Sequence, residues 1–256
     1  MITVGIDMGL ERVKAVAVRD GAICGRGSAC AGGASRAAAA ESACAAALAQ
    51  AGADMTQVKR VVATGKGKFD VSFAGDRVTE PVAAALAARF LCPAATTVMD
   101  VGADKTLAVA VGDGKLIDEF ALNQKCSAGL GTFLKYMAER LALSQQEMDE
   151  ATETDGLSVS DGCVVFAELD ALSLLNDGVA PQKVAAAVTE AVAVRAATVF
   201  HDISLQKPDC VVLFGGLTGN PAFVRALEKY TGVSFVIPPD ADYAGAVGAA
   251  LFEEDE

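Results

Sequence analysis

The order of hydrophobic and polar positions divides the chain into two successive series of strands and helices. Apolar runs that end at Gly or Asp predict three consecutive strands, joined by tight turns, at the start of each series. The predicted strands are residues 2–6, 13–18 and 23–27 in the first series, and residues 96–100, 105–111 and 115–122 in the second. The pattern therefore predicts an antiparallel meander that occurs twice.

Helices are predicted where alanine-rich or amphipathic segments follow these strands. Phe133, Met137 and Leu141 fall on one face of a predicted helix, and Ser144 with Glu147 has the pattern of a capping box. The predicted helices are residues 35–51, 79–91, 132–143, 164–175, 182–203 and 242–252, with others after Ser144 and Asn220, and further strands are predicted at 58–64, 210–214 and 234–237. The many alanines and the absence of Trp predict close helix packing without bulky aromatic cores.

The second series repeats the first at the level of the amino acids. Residues 7–21, DMGLERVKAVAVRDG, align without a gap with residues 100–114, DVGADKTLAVAVGDG, and 8 of the 15 paired positions are identical. A duplication with this spacing, in a chain of 256 residues, favours two domains. We expect the first domain over residues 1–94, with the C-terminal helix of 240–256 packing back on it, and the second over residues 95–239.

Each copy begins with a D-x-G turn between two strands, made by Asp7 with Gly9 and by Asp100 with Gly102. Such turns offer backbone N–H groups to phosphate oxygens, and each Asp can hold Mg2+ directly or through its waters. One copy by itself would be explained better as an ordinary hairpin turn. Two copies in register favour a nucleotide triphosphate held between two similar domains.

Two further features extend this predicted nucleotide site. The pair Gly215-Gly216 follows a third buried strand, where backbone free of side chains lets an adenosine lie close. Lys14, on the strand that leaves the first turn, either reaches a phosphate or stays solvated, and its counterpart in the second copy is Leu107. Neither a P-loop nor the glycine fingerprint of dinucleotide-binding folds occurs, so the duplicated turn is the alternative phosphate site.

Two of the seven cysteines, Cys126 and Cys163, stand at the start of predicted helices. A helix N-terminus lowers the pKa of a thiol and favours thiolate ligands of an iron–sulfur cluster, although two structural thiols are the simpler interpretation. Two ligands are too few for a 4Fe-4S cluster, which takes four. A symmetric dimer would supply the missing pair.

Charge and composition exclude some classes of protein. A net charge of −12 and a pI near 4.6 argue against a protein that coats nucleic acid or anionic membranes, since both need excess Lys and Arg. The N-terminus has no basic region, and no apolar run approaches the roughly 18 residues of a membrane-spanning helix. We therefore expect a cytoplasmic protein with no nucleic-acid and no membrane partner.

These motifs together resemble the ATPases that activate 2-hydroxyacyl-CoA dehydratases and serve benzoyl-CoA reductases, within the acetate and sugar kinase, heat-shock chaperone and actin superfamily. The segments that carry the resemblance are GIDMG, ATGKGK, MDVGAD, NQKCSAGLGTFL, DGCVVFAEL, LFGGLTGN and PPDADYAGAVGAAL. The cysteine-containing segments are specific to this family, whereas the phosphate motifs fit the whole superfamily. The resemblance implies an α/β fold of the duplicated actin-like (ribonuclease H-like) ATPase type, with two domains and a nucleotide cleft between them.

The resemblance also implies roles for individual residues. Asp7, Gly9 and Lys14 match the first phosphate motif, Asp100 and Gly102 the second, Gly215, Gly216 and Asn220 the adenosine motif, and Cys126 and Cys163 the cluster ligands. The resemblance implies that Asp7 and Asp100 bind Mg-ATP and position the water for hydrolysis. It also implies that one 4Fe-4S cluster is shared between two subunits, and that ATP hydrolysis drives an electron from a low-potential donor such as ferredoxin to iron–sulfur reductase or dehydratase subunits.

Two motifs depart from the pattern of the dehydratase activators. Those proteins usually show DIGSTT and DIGGQD, where this chain has DMGLER and DVGADK. The forms DMG and DVGA look more like the D-type ATPase subunit of benzoyl-CoA reductase, which pairs with a homologous subunit. The sequence therefore predicts an electron-transferring ATPase subunit of a benzoyl-CoA reductase. The alternative is a homodimeric activator of a 2-hydroxyacyl-CoA dehydratase, and a small-molecule kinase or an actin-like structural ATPase is less favoured.

Overall fold

Two five-stranded sheets form the framework of the computed structural model, which describes residues 1–32, 35–123, 130–204 and 209–253. Together with the helices they give the α/β class that the sequence predicts. The described residues separate into two compact units. The first unit comprises Met1–Val98, Val111–Asp118 and the chain from Pro238 onward, and the second comprises Met99–Ala110 and Glu119–Ile237.

The first sheet contains the N-terminal meander and has the strand order β3-β2-β1-β4-β5. Its strands are β1 (Ile2–Met8), β2 (Arg12–Arg19), β3 (Ala22–Cys30), β4 (Val58–Thr64) and β5 (Asp76–Arg77). The antiparallel register of β1 with β2 pairs Asp7 with Lys14, and the parallel register of β1 with β4 pairs Asp7 with Thr64. The sheet therefore places Lys14 and Thr64 on either side of Asp7.

The described part of the first unit contains three helices, and glycines let one of them approach both a strand and another helix very closely. They are α1 (Arg36–Gln50), α2 (Glu80–Leu91) and α8 (Ala244–Leu251). A Cβ atom on Gly5 of β1 would collide with the backbone of α8 at Ala246, and one on Gly248 of α8 would collide with the backbone of α2 at Ala83. The close helix packing that the alanine content predicts is therefore confirmed.

The second sheet has the strand order β10-β9-β6-β7-β8. Its strands are β6 (Thr97–Val101), β7 (Thr106–Val111), β8 (Ile117–Leu122), β9 (Val211–Phe214) and β10 (Phe235–Val236). Every residue of the central strands β6 and β9 is buried, as expected for strands covered on both faces. Both strands end where a glycine follows, at Gly102 and at Gly215.

The described residues of the second unit form five helices: α3 (Gly131–Leu141), α4 (Gln145–Glu150), α5 (Val164–Asn176), α6 (Pro181–His201) and α7 (Pro221–Thr231). Phe133, Met137 and Leu141 are buried on one face of α3, as the sequence predicts. The capping box of Ser144 and Glu147 is present at the start of α4. Helix α6 is long and apolar enough to cross a membrane, but 72% of its most apolar stretch is buried within the protein, as in a core helix.

The C-terminal region differs from the predicted elements. The strand expected over residues 234–237 has only the two residues of β10, because Pro238 and Pro239 follow and proline cannot donate to a sheet ladder. Asp240 then has a positive φ of 66° and precedes a 3-10 turn, so α8 begins later than the expected residue 242. The strand β5 and the 3-10 helices Met55–Gln57 and Lys68–Asp70 are not apparent from the sequence.

Candidate functional site

The carboxylate of Asp7 lies at the end of β1 between two glycines from distant parts of the first unit. A Cβ atom on Gly65 would lie 2.6 Å from Oδ1 of Asp7, and a Cβ atom on Gly245 would lie 2.6 Å from Oδ2. Gly65 also has a φ of +86°, which other residues rarely adopt. Any side chain at either position would displace the Asp7 carboxylate.

The hydroxyl of Thr64 adds a polar group beside Asp7. Thr64 is 1% exposed and is the β4 partner of Asp7 in the sheet register. Its Oγ1 is buried and has no hydrogen-bond partner among the described residues. Buried hydroxyls are normally satisfied by protein, water or ligand, so Thr64 is suited to bind a water or a ligand oxygen at this end of the sheet.

Lys14 is held by Asp242 and is not a solvated side chain. Its Nζ donates to the carboxylate of Asp242 and, at 2.8 Å, to the carbonyl oxygen of the same residue. The Lys14 side chain is 12% exposed and that of Asp242 is 46% exposed. The lysine that the sequence places near the first phosphate turn therefore has a fixed position, set by the 3-10 turn before α8.

Arg36, at the start of α1, links the first D-x-G turn to the segment after β4. Its Nε lies 3.0 Å from Oδ2 of Asp70, and its Nη2 lies 3.5 Å from the carbonyl oxygen of Gly9. The guanidinium also fills the space beside Gly67, where a Cβ atom would collide with it. An arginine in the first turn of a helix is opposed by the helix dipole, so its position is explained by these contacts.

The carboxylate of Asp100 lies at the end of β6 and is held by a lysine and a glycine of the second unit. Nζ of Lys105 lies 2.8 Å from Oδ2 of Asp100, and the two side chains are 13% and 11% exposed. A Cβ atom on Gly215, whose φ is +95°, would lie 2.6 Å from Oδ1 of Asp100. Asp100 and Gly215, which the sequence predicts for two different motifs of the nucleotide site, therefore lie next to each other, and Lys105 is paired with Asp100.

Asn220, a residue of the predicted adenosine motif, stabilises the start of a helix. It is buried, and its Oδ1 accepts a hydrogen bond of 2.7 Å from the backbone N–H of Phe223, so it caps α7 as the sequence predicts. Gly216, by contrast, is exposed at the start of the 3-10 helix Gly216–Gly219. One end of this loop is therefore anchored while its glycine backbone stays accessible.

Helix α3 begins on the second D-x-G turn. The N–H of Gly131 donates to the carbonyl of Gly102 at 3.3 Å, and the N–H of Thr132 donates to the carbonyl of Ala103 at 2.9 Å. The hydroxyl of Thr132 donates to the same Ala103 carbonyl at 3.0 Å. The turn carbonyls thus satisfy N–H groups that a helix start leaves without partners.

Cys163 is the N-cap residue of α5, and its surroundings favour the thiolate. Backbone N–H groups of Phe166 and Val165 hydrogen bond to it and hold the pKa of the Cys163 thiol below its ordinary value, and the charge of Arg195 acts in the same direction. Cys44 shows the opposite case, because burial raises its pKa to about 11. The other predicted cluster ligand, Cys126, lies outside the described residues.

Exposed apolar side chains surround the start of α5. Val165, Phe166 and Leu169 are 59%, 62% and 55% exposed. On the neighbouring helix α3, Tyr136 is 41% exposed and donates a hydrogen bond of 2.6 Å to Glu168 of α5. Large apolar side chains in water next to a thiolate-favouring cysteine are typical of an interaction surface.

Four contacts of the site are not evident in the sequence motifs. Gly65 and Gly245 fix Asp7, Asp242 fixes Lys14, and Lys105 pairs with Asp100. Gly65 and Gly245 stand in the motifs ATGKGK and DYAGAVG, but nothing in the sequence says which side chain they face. Lys105 could have been singled out, because it is the only cation directly after the second D-x-G turn within DVGADK.

Comparison with protein families gives one match over almost the whole chain. The profile of the BadF/BadG/BcrA/BcrD ATPase family matches residues 4–253. The activator of lactoyl-CoA dehydratase from Anaerotignum propionicum is 34% identical over 254 residues, which cover 98% of this chain and 97% of that protein. The D-type subunit of benzoyl-CoA reductase from Thauera aromatica is 29% identical over 213 residues, which cover 80% of this chain and 74% of that protein.

Solved structures agree with this match. The crystal structure of (R)-2-hydroxyglutaryl-CoA dehydratase component A from Acidaminococcus fermentans aligns with a TM-score of 0.88 and 28% identity, over 98% of this chain and 96% of that chain. The activator of 2-hydroxyisocaproyl-CoA dehydratase from Clostridium difficile, with bound ADPNP, aligns with a TM-score of 0.86 and 26% identity, over 98% of this chain and 93% of that chain. The actin-like ATPase fold that the motifs predict is thereby confirmed.

Proposed function

This chain belongs to the BadF/BadG/BcrA/BcrD ATPase family, and we propose that it is an ATP-hydrolysing activator that passes low-potential electrons to a 2-hydroxyacyl-CoA dehydratase. The dehydratase activator, which is the alternative on the sequence alone, is favoured over the benzoyl-CoA reductase subunit. The activator of lactoyl-CoA dehydratase is 34% identical and spans 98% of the chain, whereas the D-type subunit of benzoyl-CoA reductase is 29% identical and spans 80%.

The observation that carries the proposal is the junction between the second D-x-G turn and α3. Gly102 and Ala103 of the turn accept the hydrogen bonds of Gly131 and Thr132, the first residues of α3. Cys126 precedes this helix by only a few residues. A nucleotide-dependent movement of the turn would therefore be passed by hydrogen bonds to the helix that begins next to a cluster ligand.

In the proposed nucleotide site, the backbone N–H groups of the Gly9 and Gly102 turns bind phosphate oxygens, and Lys14 adds a positive charge. The Gly215-Gly216 loop holds the adenosine. Asp7 would hold the Mg2+ ion that accompanies the phosphates and neutralises part of their charge, and Asp100 would accept a hydrogen bond from the attacking water. The water oxygen would bond to the γ-phosphorus while the bond to the β–γ bridging oxygen breaks, and the proton that the water loses would pass to the phosphate that leaves, which yields ADP and phosphate.

In the proposed cluster site, Cys126 and Cys163 of each of two copies ligate one 4Fe-4S cluster. Of the two cysteines, Cys163 lies among the described residues and fits this role. The pKa of its thiol lies below the ordinary value, and the cysteine ligands of iron–sulfur clusters are thiolates. The cluster would supply one-electron transfer, from a donor such as reduced ferredoxin to the partner protein. The exposed side chains of Val165, Phe166 and Leu169 lie beside Cys163 and suit a protein contact there.

The proposal is tested by iron and sulfide analysis of the protein purified without oxygen. We expect about four iron and four sulfide per dimer, and loss of both in the Cys163→Ala and Cys126→Ala variants. Cys30→Ala is the matched control, because Cys30 is an exposed cysteine of β3 remote from the proposed ligands in sequence. A protein without cluster, or an intact cluster in both ligand variants, would overturn the proposal.

The benzoyl-CoA reductase subunit is a second candidate, because the forms DMG and DVGA favour it. The two candidates differ in their assembly. A dehydratase activator forms a dimer of identical chains, whereas the reductase subunit pairs with a homologous ATPase chain. Native mass spectrometry of the protein expressed alone distinguishes them: a cluster-containing homodimer that activates a 2-hydroxyacyl-CoA dehydratase supports the first candidate, and a cluster-free monomer supports the second.

A further inference from the structure

We propose that Glu168 of α5 is a positioning residue that Tyr136 and Arg140 of α3 hold in place. The contact joins the two helices, so a movement of the second D-x-G turn passes along α3 to Cys163 at the start of α5. The inference rests on the proposed function, in which this turn binds phosphate and Cys163 ligates the cluster. It adds the side chains that couple the two sites, all of which belong to the second unit.

One carboxylate oxygen of Glu168 accepts three hydrogen bonds from α3. The hydroxyl of Tyr136 donates to Oε1 at 2.6 Å, and Nε and Nη2 of Arg140 donate to the same oxygen at 3.1 and 2.9 Å. Cζ of Arg140 also lies 5.7 Å from the centroid of the Tyr136 ring. Tyr136 and Arg140 are four residues apart, so they stand on one face of α3 and hold Glu168 together.

The contact involves a charged carboxylate near the surface. The hydrogen bond from Tyr136 holds the pKa of the Glu168 carboxyl below its ordinary value, and Arg140 acts in the same direction. Hydrogen bonds to an ionised group are stronger than those between neutral groups. The side chains of Glu168 and Arg140 are 24% and 48% exposed, and an ion pair in such a position contributes little to the free energy of unfolding. We therefore expect the contact to fix the relative position of the helices more than to stabilise the fold.

Helices α3 and α5 otherwise touch each other little. Each of them packs mainly against α6. Tyr136, Arg140 and Glu168 thus bridge two helices whose main packing is against a third. Without this bridge, α5 follows a movement of α3 only through the packing of both helices on α6.

Hydrogen bonds fix both ends of the connection. Helix α3 begins on the second D-x-G turn, because the N–H groups of Gly131 and Thr132 donate to turn carbonyls. At the start of α5, the N–H of Ala167 donates to the carbonyl of Cys163 at 2.9 Å. Glu168 follows directly, about one and a half turns after Cys163. A displacement of Glu168 therefore acts on the turn of helix that carries the thiol.

Arg195 of α6 provides another route to the same thiol. It donates to the carbonyl oxygens of Asp161 and, at 3.1 Å, of Ser160, in the loop before Cys163. A movement carried by α6 would reach Cys163 through this anchor without Glu168. The two routes therefore predict different results for a variant of Glu168.

The coupling is measured as the change that the non-hydrolysable ATP analogue AMPPNP causes in the rate of iron removal by bathophenanthroline. We expect AMPPNP to change this rate at least about threefold in the wild-type protein, and Glu168→Ala to lose about half or more of that response. The Kd for AMPPNP and the melting temperature should change little, because the ion pair lies near the surface. A full response in Glu168→Ala would overturn the inference and favour the route through Arg195.

The matched control is Glu190→Ala. The Glu190 side chain is 24% exposed, as that of Glu168 is. It accepts hydrogen bonds from Nζ of Lys229 at 2.7 Å and from the hydroxyl of Tyr230 at 3.1 Å. This contact joins α6 to α7 instead of α3 to α5, so the variant should keep the full response to AMPPNP. An equal loss in both variants would overturn the inference.

Variants of the partners of Glu168 give a second test. Glu168→Gln keeps an oxygen that accepts from Tyr136, so it should retain more of the response than Glu168→Ala. Tyr136→Phe combined with Arg140→Met removes all three donors and should reduce the response as much as Glu168→Ala does. Adding Glu168→Ala to this pair should cause no further loss, because the members of one network act together. Additive losses would contradict a shared contact.

A measurement without the cluster separates this inference from the proposed function. The rate of Cys163 alkylation by iodoacetamide is measured in the cluster-free protein, with and without AMPPNP. AMPPNP should change it at least about twofold in the wild-type protein and in Glu190→Ala, and less than about half as much in Glu168→Ala. If the wild-type protein binds no cluster, the proposed cluster site fails, while this measurement still decides the coupling. An equal change in all three proteins, or no change in the wild-type protein, overturns the inference.

Discussion

A Cβ atom placed on Gly245 would lie 2.6 Å from Oδ2 of Asp7, so the first turn of α8 and the end of β1 touch at the proposed metal-binding carboxylate. Two segments more than 200 residues apart in the chain thus fix one side chain. The affinity for the metal–nucleotide complex should therefore depend on the size of residue 245.

Gly245→Ala should displace the Asp7 carboxylate and raise the Kd for Mg-AMPPNP at least about tenfold. Alanine favours a helix over glycine by about 1 kcal/mol, so the thermal stability should fall little, if at all. Isothermal titration calorimetry and thermal unfolding measure the two effects. Gly114→Ala is the control, because a Cβ atom there meets no atom within 4 Å. An unchanged Kd in Gly245→Ala would contradict this assignment of Asp7.

Gly248→Ala, about one turn further along α8, should lower the stability of the fold, in contrast to Gly245→Ala. Its Cβ atom would collide with the backbone of α2 at Ala83, which cannot move as a side chain can. We expect a loss of at least about 1–3 kcal/mol in the free energy of unfolding, as for overpacked cores. Urea denaturation measures it. Stability equal to that of the wild-type protein would show that α8 and α2 do not pack as closely as described.

Asp242→Asn should weaken nucleotide binding through Lys14. The variant removes the carboxylate that accepts from Nζ of Lys14, and the lysine then loses its fixed position. We expect the Kd for ATP to rise about three- to tenfold. Asp240→Asn is the matched control, because it removes the partner of Arg26 in the same segment and Asn tolerates the positive φ of that position. Equal changes in both variants would indicate a general effect on the segment.

Thr132→Val should weaken the communication between the second turn and α3. It removes the hydroxyl that donates to the carbonyl of Ala103, while the backbone hydrogen bond of the same residue stays. We expect ATP to bind with nearly wild-type affinity, and the ATP-induced change in the rate of iron removal by bathophenanthroline to fall by about half or more.

The control for Thr132 is Thr198→Val on α6. Its hydroxyl makes a bond of equal length, 3.0 Å, to the carbonyl of Val194 within one helix. This variant should keep the full response of the cluster to ATP. A full response in Thr132→Val as well would show that the hydroxyl does not take part in the coupling.

The cysteines should differ in reactivity in the cluster-free protein. Hydrogen bonds from backbone N–H groups lower the pKa of Cys163, so its alkylation by iodoacetamide should reach half of the maximal rate at a lower pH than for an ordinary thiol. Burial raises the pKa of Cys44 to about 11, so Cys44 should stay unmodified near neutral pH. Peptide mass spectrometry across a pH series measures both. A midpoint for Cys163 at or above that of a cysteine in a short unstructured peptide would contradict the prediction.

Much of the local structure follows from the sequence because it depends on neighbouring residues. The meander strands follow apolar runs, the capping box at Ser144 places α4, and Asn220 with Pro221 places α7. The elements that sequence reasoning misses are short. The two-residue strand β5 and the 3-10 turn before α8 are formed by pairing and backbone geometry, which leave little periodic pattern.

Some residues of the candidate site can likewise be recognised from the sequence, and others cannot. Asp7, Asp100 and the glycine pair at 215–216 are recognisable because strand ends and turn glycines have a sequence signature. The partners of these residues have none. Lys14 pairs with Asp242 across 228 positions of the chain, and no local rule connects two residues at such a separation.

The sequence by itself determined the duplicated α/β fold, the two D-x-G turns and the cysteine at the start of α5, because periodicity, turn chemistry and helix ends are local properties. The tertiary structure alone decided which groups surround each carboxylate. It placed Gly65 and Gly245 against Asp7, and Lys105 with Gly215 against Asp100. Most of these neighbours come from segments that are distant in the chain, because the packing decides which groups lie within hydrogen-bonding distance of a buried charge.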